Sequence, residues 1–193
     1  MMRSLVTKGM VMVLALSWLV AACQGPTPWQ AGVALAPEVT LYLPAPVVFD
    51  RSLDVAQQTL IVRGEHRYVM EGRLSVTPQE MVLVVLDPMG GRALTLLWTG
   101  DNLAEHRAHW LPDGLQGNDI IAQLLLIFAP EQALAQGIRG AELRTSPLHR
   151  ALFQEGQEII SIDYPDNMWN GVVHLHNQAM QYDLTIHSVE IAP

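Results

Sequence analysis

The feature that most restricts this fold is an alternation of period two, which begins near residue 57 and returns in most segments that follow. In His66–Val76 the even positions are His66, Tyr68, Met70, Gly72, Leu74 and Val76. The odd positions are Arg67, Val69, Glu71, Arg73 and Ser75. Successive side chains of a strand point to opposite faces, so this predicts a half-buried strand, apolar on one face and wet on the other. Met81–Leu86 is an unbroken apolar run and predicts a strand covered on both faces. Asp87-Pro88-Met89-Gly90-Gly91 and Thr99-Gly100-Asp101-Asn102 carry turn chemistry, with Arg92–Trp98 as the return strand between them. Further strands are expected at 103–110, 141–145, 150–153, 158–164, 171–177 and 182–191. Strands this close in sequence, joined by short turns, make an antiparallel meander.

One segment departs from this period. Within residues 120–129, Ile121, Leu124, Leu125 and Phe128 recur at i, i+3, i+4 and i+7. Asn118 or Asp119 is a good N-cap, and Pro130 stops the helix. Pro130 also opens a second short helix through Gln136, ended by Gly137. Ile120 and Ile127 fall off the main stripe, so the first helix is apolar nearly all round and is expected to be buried on several sides. The expected order is about five strands, a buried helical insert at about 117–137, and about five more strands.

Composition narrows the function classes. Half of the 193 residues are hydrophobic, 16% are charged, and the net charge is −8. Dominant disorder needs the opposite balance. An acidic chain is a poor match for nucleic acid, whose phosphates demand clustered cations. A single cysteine excludes an intramolecular disulfide framework and a Cys-rich metal site.

Part of the apolar surplus lies at the start. Arg3 and Lys8 precede an apolar run over residues 9–20 whose sole polar break is Ser17, and Val20-Ala21-Ala22-Cys23 closes it. That is the pattern of a secretory signal, too short for a comfortable membrane span. Val-Ala-Ala-Cys resembles the lipobox of bacterial lipoproteins, which implies that residues 1–22 are removed and Cys23 becomes the lipidated first residue. Gln24 stands where Asp would retain such a lipoprotein in the inner membrane, so the resemblance implies an outer-membrane anchor through the Cys23 lipid, with the domain facing the periplasm. Loss of Arg3 and Lys8 takes the net charge from −8 to −10.

Residues 23–50 are read as the lipidated Cys with a tether and edge segment. Positions 24–38 hold three prolines and two glycines, and Pro44 and Pro46 keep residues 41–49 extended. Residues 51–193 are the folded domain.

The succession of strands, buried helical insert and strands over about 57–191 resembles the fold of LolA and LolB, the periplasmic carrier and outer-membrane receptor of lipoprotein sorting. The most specific stretch is Leu86-Asp87-Pro88-Met89-Gly90 followed by Arg92–Trp98, which is similar to the Asn-Pro-Leu-Gly turn and following strand of the receptor. Ala56-Gln57-Gln58-Thr59-Leu60, residues 160–164 and Gln181-Tyr182-Asp183-Leu184-Thr185-Ile186 are similar to a family of lipoproteins often encoded in aryl polyene pigment clusters.

The resemblance implies a mainly β (α+β) fold: an antiparallel, incompletely closed half-barrel with a helical insert plugging its concave face. It implies a non-enzymatic module that receives or inserts a hydrophobic cargo or lipoprotein. Met89 matches a protruding Leu of the receptor, which implies an exposed tip that contacts membrane or cargo.

Other constellations are weaker. His174 and His176 share a strand face, but no third ligand of fixed spacing accompanies them, so no metal and no other cofactor is expected. No Gly-x-Ser-x-Gly elbow occurs, and Ser146 and His149 have no evident orienting acid, so no catalytic residues are assigned.

Leu94, Leu96 and Trp98 share one strand face, and Leu124, Leu125 and Phe128 can cover it. These six form either a plain core or the wall of a cavity for acyl or polyene chains, which the nine methionines would suit. The competing reading is a structural assembly lipoprotein that docks partner proteins and has no cavity.

Overall fold

The computed structural model describes residues 32–111, 114 and 116–191. Cys23 and Gln24 lie outside the described residues. In chain order the described residues form β1 (Gly32–Ala36), β2 (Val39–Tyr42), β3 (Leu53–Arg63), β4 (His66–Val76), β5 (Met81–Leu86), β6 (Arg92–Trp98) and β7 (Leu103–Arg107). Next come α1 (Gly117–Phe128), α2 (Glu131–Gly137), β8 (Ile138–Arg139), β9 (Glu142–Ser146), β10 (His149–Gln154), β11 (Gln157–Asp163), β12 (Gly171–Asn177) and β13 (Tyr182–Glu190).

Ten strands make one antiparallel open sheet in the order β7-β6-β5-β4-β3-β13-β12-β11-β10-β9. It is two meanders joined where the last strand pairs with the first, from Val55 opposite Glu190 to Val62 opposite Asp183.

The helical insert dictates the sheet's shape. At its start, a Cβ on Gly117 would lie 2.6 Å from Glu105 Oε2 on β7 and 2.7 Å from Leu96 Cδ2 on β6, so the helix backbone lies directly against these two side chains. At its end, Arg150 of β10 donates to the carbonyl oxygens of Leu126, Ile127 and Ala129. Twelve helical residues span about 18 Å. The seven inter-strand steps from β6 to β10 would cover about 34 Å in a flat sheet. One short helix can touch both only if the sheet curls around it. The fold is therefore a mainly β, incompletely closed half-barrel with the insert on its concave face. Ile121, Leu125, Leu126 and Ile127 are 0% exposed, as expected of a helix that is apolar nearly all round.

Four local expectations need correction. Part of the segment assigned to the tether, residues 32–42, forms the β1–β2 hairpin, to which β8 adds through Leu41 and Ile138. Leu35, Val39 and Leu41 alternate into the core, and Asn177 Nδ2 donates to the Leu35 carbonyl at 2.9 Å. Pro37 with Glu38 at φ 61° supplies the turn.

In β4, residues 66–69 are exposed on both faces, because β5 ends at Leu86 opposite Glu71 and the β3–β4 hairpin projects beyond it. In β5 only Met81, Leu83 and Val85 are buried; the alternate residues are half-exposed. Finally, α1 begins at Gly117 with Gln116 in the N-cap place, so Asn118 and Asp119 lie inside the first turn. Asp119 there complements the positive end of the helix.

Candidate functional site

Between the concave face and the first turns of α1 lies a cavity of about 420 Å³. Its sheet wall follows the inward positions of β3: Gln57, Thr59, Ile61 and Arg63. Across the pair to β13, Ile186 stands opposite Thr59 and Leu184 opposite Ile61. The helix wall is two i, i+4 pairs on one face of α1, Asp119 with Gln123 and Ile120 with Leu124. The cavity runs from a closed end, where Gln57 and Leu83 are each 6% exposed, to a mouth at the exposed Arg63 beside the β3–β4 turn. Met180 and Tyr182, from the end of the β12–β13 hairpin, line the same region.

Seven of the cavity's nineteen lining residues carry polar side chains, and three of these, Gln57, Glu71 and Tyr182, are held in side-chain hydrogen bonds. Gln57 Nε2 donates to Ser188 Oγ at 3.1 Å, a buried pair between register partners. Asn177 Nδ2 donates to the Tyr182 hydroxyl at 3.3 Å. Burial pushes the Tyr182 phenol up to about 12, and the carboxylate of Asp119 acts in the same direction. Burial also raises the Asp119 carboxyl above the usual carboxylate range. Gln123 Oε1 is buried and has no partner among the described residues.

Of the six residues proposed in sequence as a cavity wall, only Leu124 lines it. Leu94, Leu96, Trp98, Leu125 and Phe128 are at most 4% exposed and belong to the core. Trp98 Nε1 donates to the Pro44 carbonyl at 3.0 Å, and Phe128 stacks on Trp169 with ring centroids 4.3 Å apart. They lie where the helix presses directly on the sheet; the space opens instead toward β3, β4 and β13. The lining residues missed in sequence left a signal on β3. Leu53, Val55, Gln57, Thr59, Ile61 and Arg63 share one parity, and the polar members on that otherwise apolar face mark where the core stops.

Met89 is 93% exposed at the apex of the β5–β6 turn. Asp87 Oδ1 accepts the Met89 and Gly91 amides, each at 2.8 Å, and Gly90 takes φ 81°. The turn is thus held by its own hydrogen bonds and leaves the Met89 side chain no packing role. It departs from the sheet at the level of Glu71, beside the cavity.

On the outer face, His174 contacts Thr185 Oγ1 at 3.2 Å and His176 contacts Asp183 Oδ1 at 2.6 Å. His149 contacts Asp163 Oδ1 at 2.7 Å. These are cross-strand pairs, and Asp163 also stands in register with His174; among the described residues no three His, Cys, Asp or Glu gather to hold a metal. Ser146 Oγ donates to the carbonyl of His149, not to its ring, so the two form no nucleophile–base pair.

A family model described as "Protein of unknown function (DUF3261)" matches residues 54–190. No curated protein matches the chain. Among solved structures, a LolA superfamily protein from Nitrosomonas europaea aligns with TM-score 0.45 and 12% identity, over 75% of this chain and 88% of that one. A DUF1329 family protein from Desulfovibrio piger aligns with TM-score 0.42 and 7% identity, over 72% and 85%.

Proposed function

The chain belongs to the DUF3261 family, and we propose that it is a lipoprotein anchored in the outer membrane through Cys23, facing the periplasm, which binds a hydrophobic acyl or polyene cargo without catalysis. The observation that carries this reading is the cavity of about 420 Å³ between α1 and the concave sheet, walled mainly by Leu, Ile, Val and Met. Cavities of this size with a mainly apolar lining suit lipid-like ligands. The exposed Met89 beside that cavity supplies a contact to the membrane or to the cargo's carrier.

Purification of the Cys23→Ser chain without detergent, followed by native mass spectrometry, tests the reading. Co-purifying acyl or polyene species support it. A clean apo mass that persists after incubation with such lipids favours the competing role, a lipoprotein that docks partner proteins.

A further inference from the structure

We infer that the cavity is built for a single straight hydrocarbon chain of about 16 carbons, rather than for the paired chains of a diacyl lipid. This rests on the reading of the cavity as a hydrophobic site, and it follows from two independent dimensions.

The first is length. From Gln57 at the closed end to Arg63 at the mouth, β3 runs six residues along the cavity wall, about 20 Å at strand rise. An extended chain advances 3.80 Å per three bonds, about 1.3 Å per bond, so that distance takes about 16 bonds.

The second is volume. A cavity of about 150 Å³ holds the six carbons of benzene, so 420 Å³ holds about 17. Length and volume give the same carbon count only for one chain lying along the strand. Two chains of that length would need about twice the space.

The polarity gradient sets the orientation. At the closed end Gln57 is already paired with Ser188, and Leu83 and Ile186 surround it, so the tail end of the chain rests there. At the mouth Arg63 and Asp119 remain exposed, so the polar end of the ligand stays in water between them.

The test uses the mature Cys23→Ser chain and displacement of a fluorescent apolar dye by saturated fatty acids of 8 to 22 carbons and by dipalmitoyl phosphatidylcholine. The 16-carbon acid is expected to bind at least about tenfold tighter than the 8-carbon acid, because each buried CH₂ adds to affinity. Binding should not improve further at 22 carbons, and the diacyl lipid should bind at least about tenfold more weakly than the 16-carbon acid.

Thr59→Phe fills the cavity two residues above its closed end and should move the optimum to about 10 carbons, since about 13 Å of wall remains. Ile186→Phe, on the cross-strand partner of Thr59, should shift it in the same way; each variant is first checked by thermal melting. An optimum unmoved in a folded variant, or equal binding of the diacyl lipid, overturns the single-chain inference while the site remains hydrophobic. No binding by any of these lipids overturns this inference together with the acyl form of the proposed function.

Discussion

Arg150, on β10, donates through Nη1 to the carbonyl oxygen of Leu126 in the last turn of α1. The same guanidinium reaches Ile127 O at 3.1 Å and Ala129 O at 3.0 Å, and it is 5% exposed. One side chain thus serves three carbonyls near the end of the helix and brings a positive charge to the negative end of its dipole. Burial lowers the guanidinium pKa but leaves it charged at physiological pH. Arg150→Met should cost about 2–4 kcal/mol, because it leaves the buried carbonyls of Leu126 and Ala129 without this donor, while Ile127 O keeps the Tyr164 hydroxyl. Arg150→Lys should recover only part of this, since a single ammonium cannot fork to the same carbonyls. Urea denaturation measures both; a loss below about 1 kcal/mol in the Met variant would remove Arg150 as the pin of the helix.

Leu125 is 0% exposed inside α1. Leu125→Asp places an unpaired charge between helix and sheet and should destabilise by about 3–5 kcal/mol. A variant that melts within about one degree of the native chain would contradict the buried position of this face.

Met89 differs in kind, since 93% of it is already in water. Met89→Glu should leave the melting temperature unchanged and weaken binding to liposomes or cargo, because full burial of a Met is worth about 1.5–3 kcal/mol. Liposome co-sedimentation of the lipid-free chain reads this directly. Unchanged binding would return the loop to ordinary turn chemistry.

Burial pushes the phenols of Tyr164 and Tyr182 up to about 12. Unfolded phenols ionise near pH 10, so between pH 10 and 12 the unfolded state loses protons that the folded state keeps. Stability should therefore fall as pH rises through that window, by up to about 2–3 kcal/mol for each tyrosine, and these two groups contribute nothing to its slope below pH 10. Tyr182→Phe should flatten part of this slope in denaturation curves taken from pH 9 to 12. Tyr164→Phe should do the same and also lose the 2.7 Å hydrogen bond to Ile127 O.

Cys23 is the sole cysteine of the chain. Cys23→Ser should abolish incorporation of radioactive palmitate and alter processing of the precursor. Continued labelling of that variant would defeat the lipoprotein reading.

Local chemistry alone determined much of this protein. The period-two alternation, the Asp87–Gly91 turn and the apolar stripe of residues 120–129 specify strands, a hairpin and a buried helix, because each depends on neighbours within a few residues. Less legible was the β1–β2 hairpin: the prolines and glycines of residues 24–38 suggest a tether, and the alternation in residues 32–42 gains meaning only once Leu35 and Leu41 have a core to enter.

The cavity was decided by tertiary structure. Leu94, Leu96 and Trp98 are as apolar as Ile61, Leu184 and Ile186, and nothing local separates a packed wall from an open one. The difference arises from where a twelve-residue helix, fixed at Gly117 and Arg150, touches a sheet that must curl to meet it. It arises also from the pairing of β3 with β13, which places Thr59 against Ile186 across more than a hundred residues of chain. Contacts at that separation leave no periodicity to read, so the apolar surplus was visible in sequence while the location of the empty space was not.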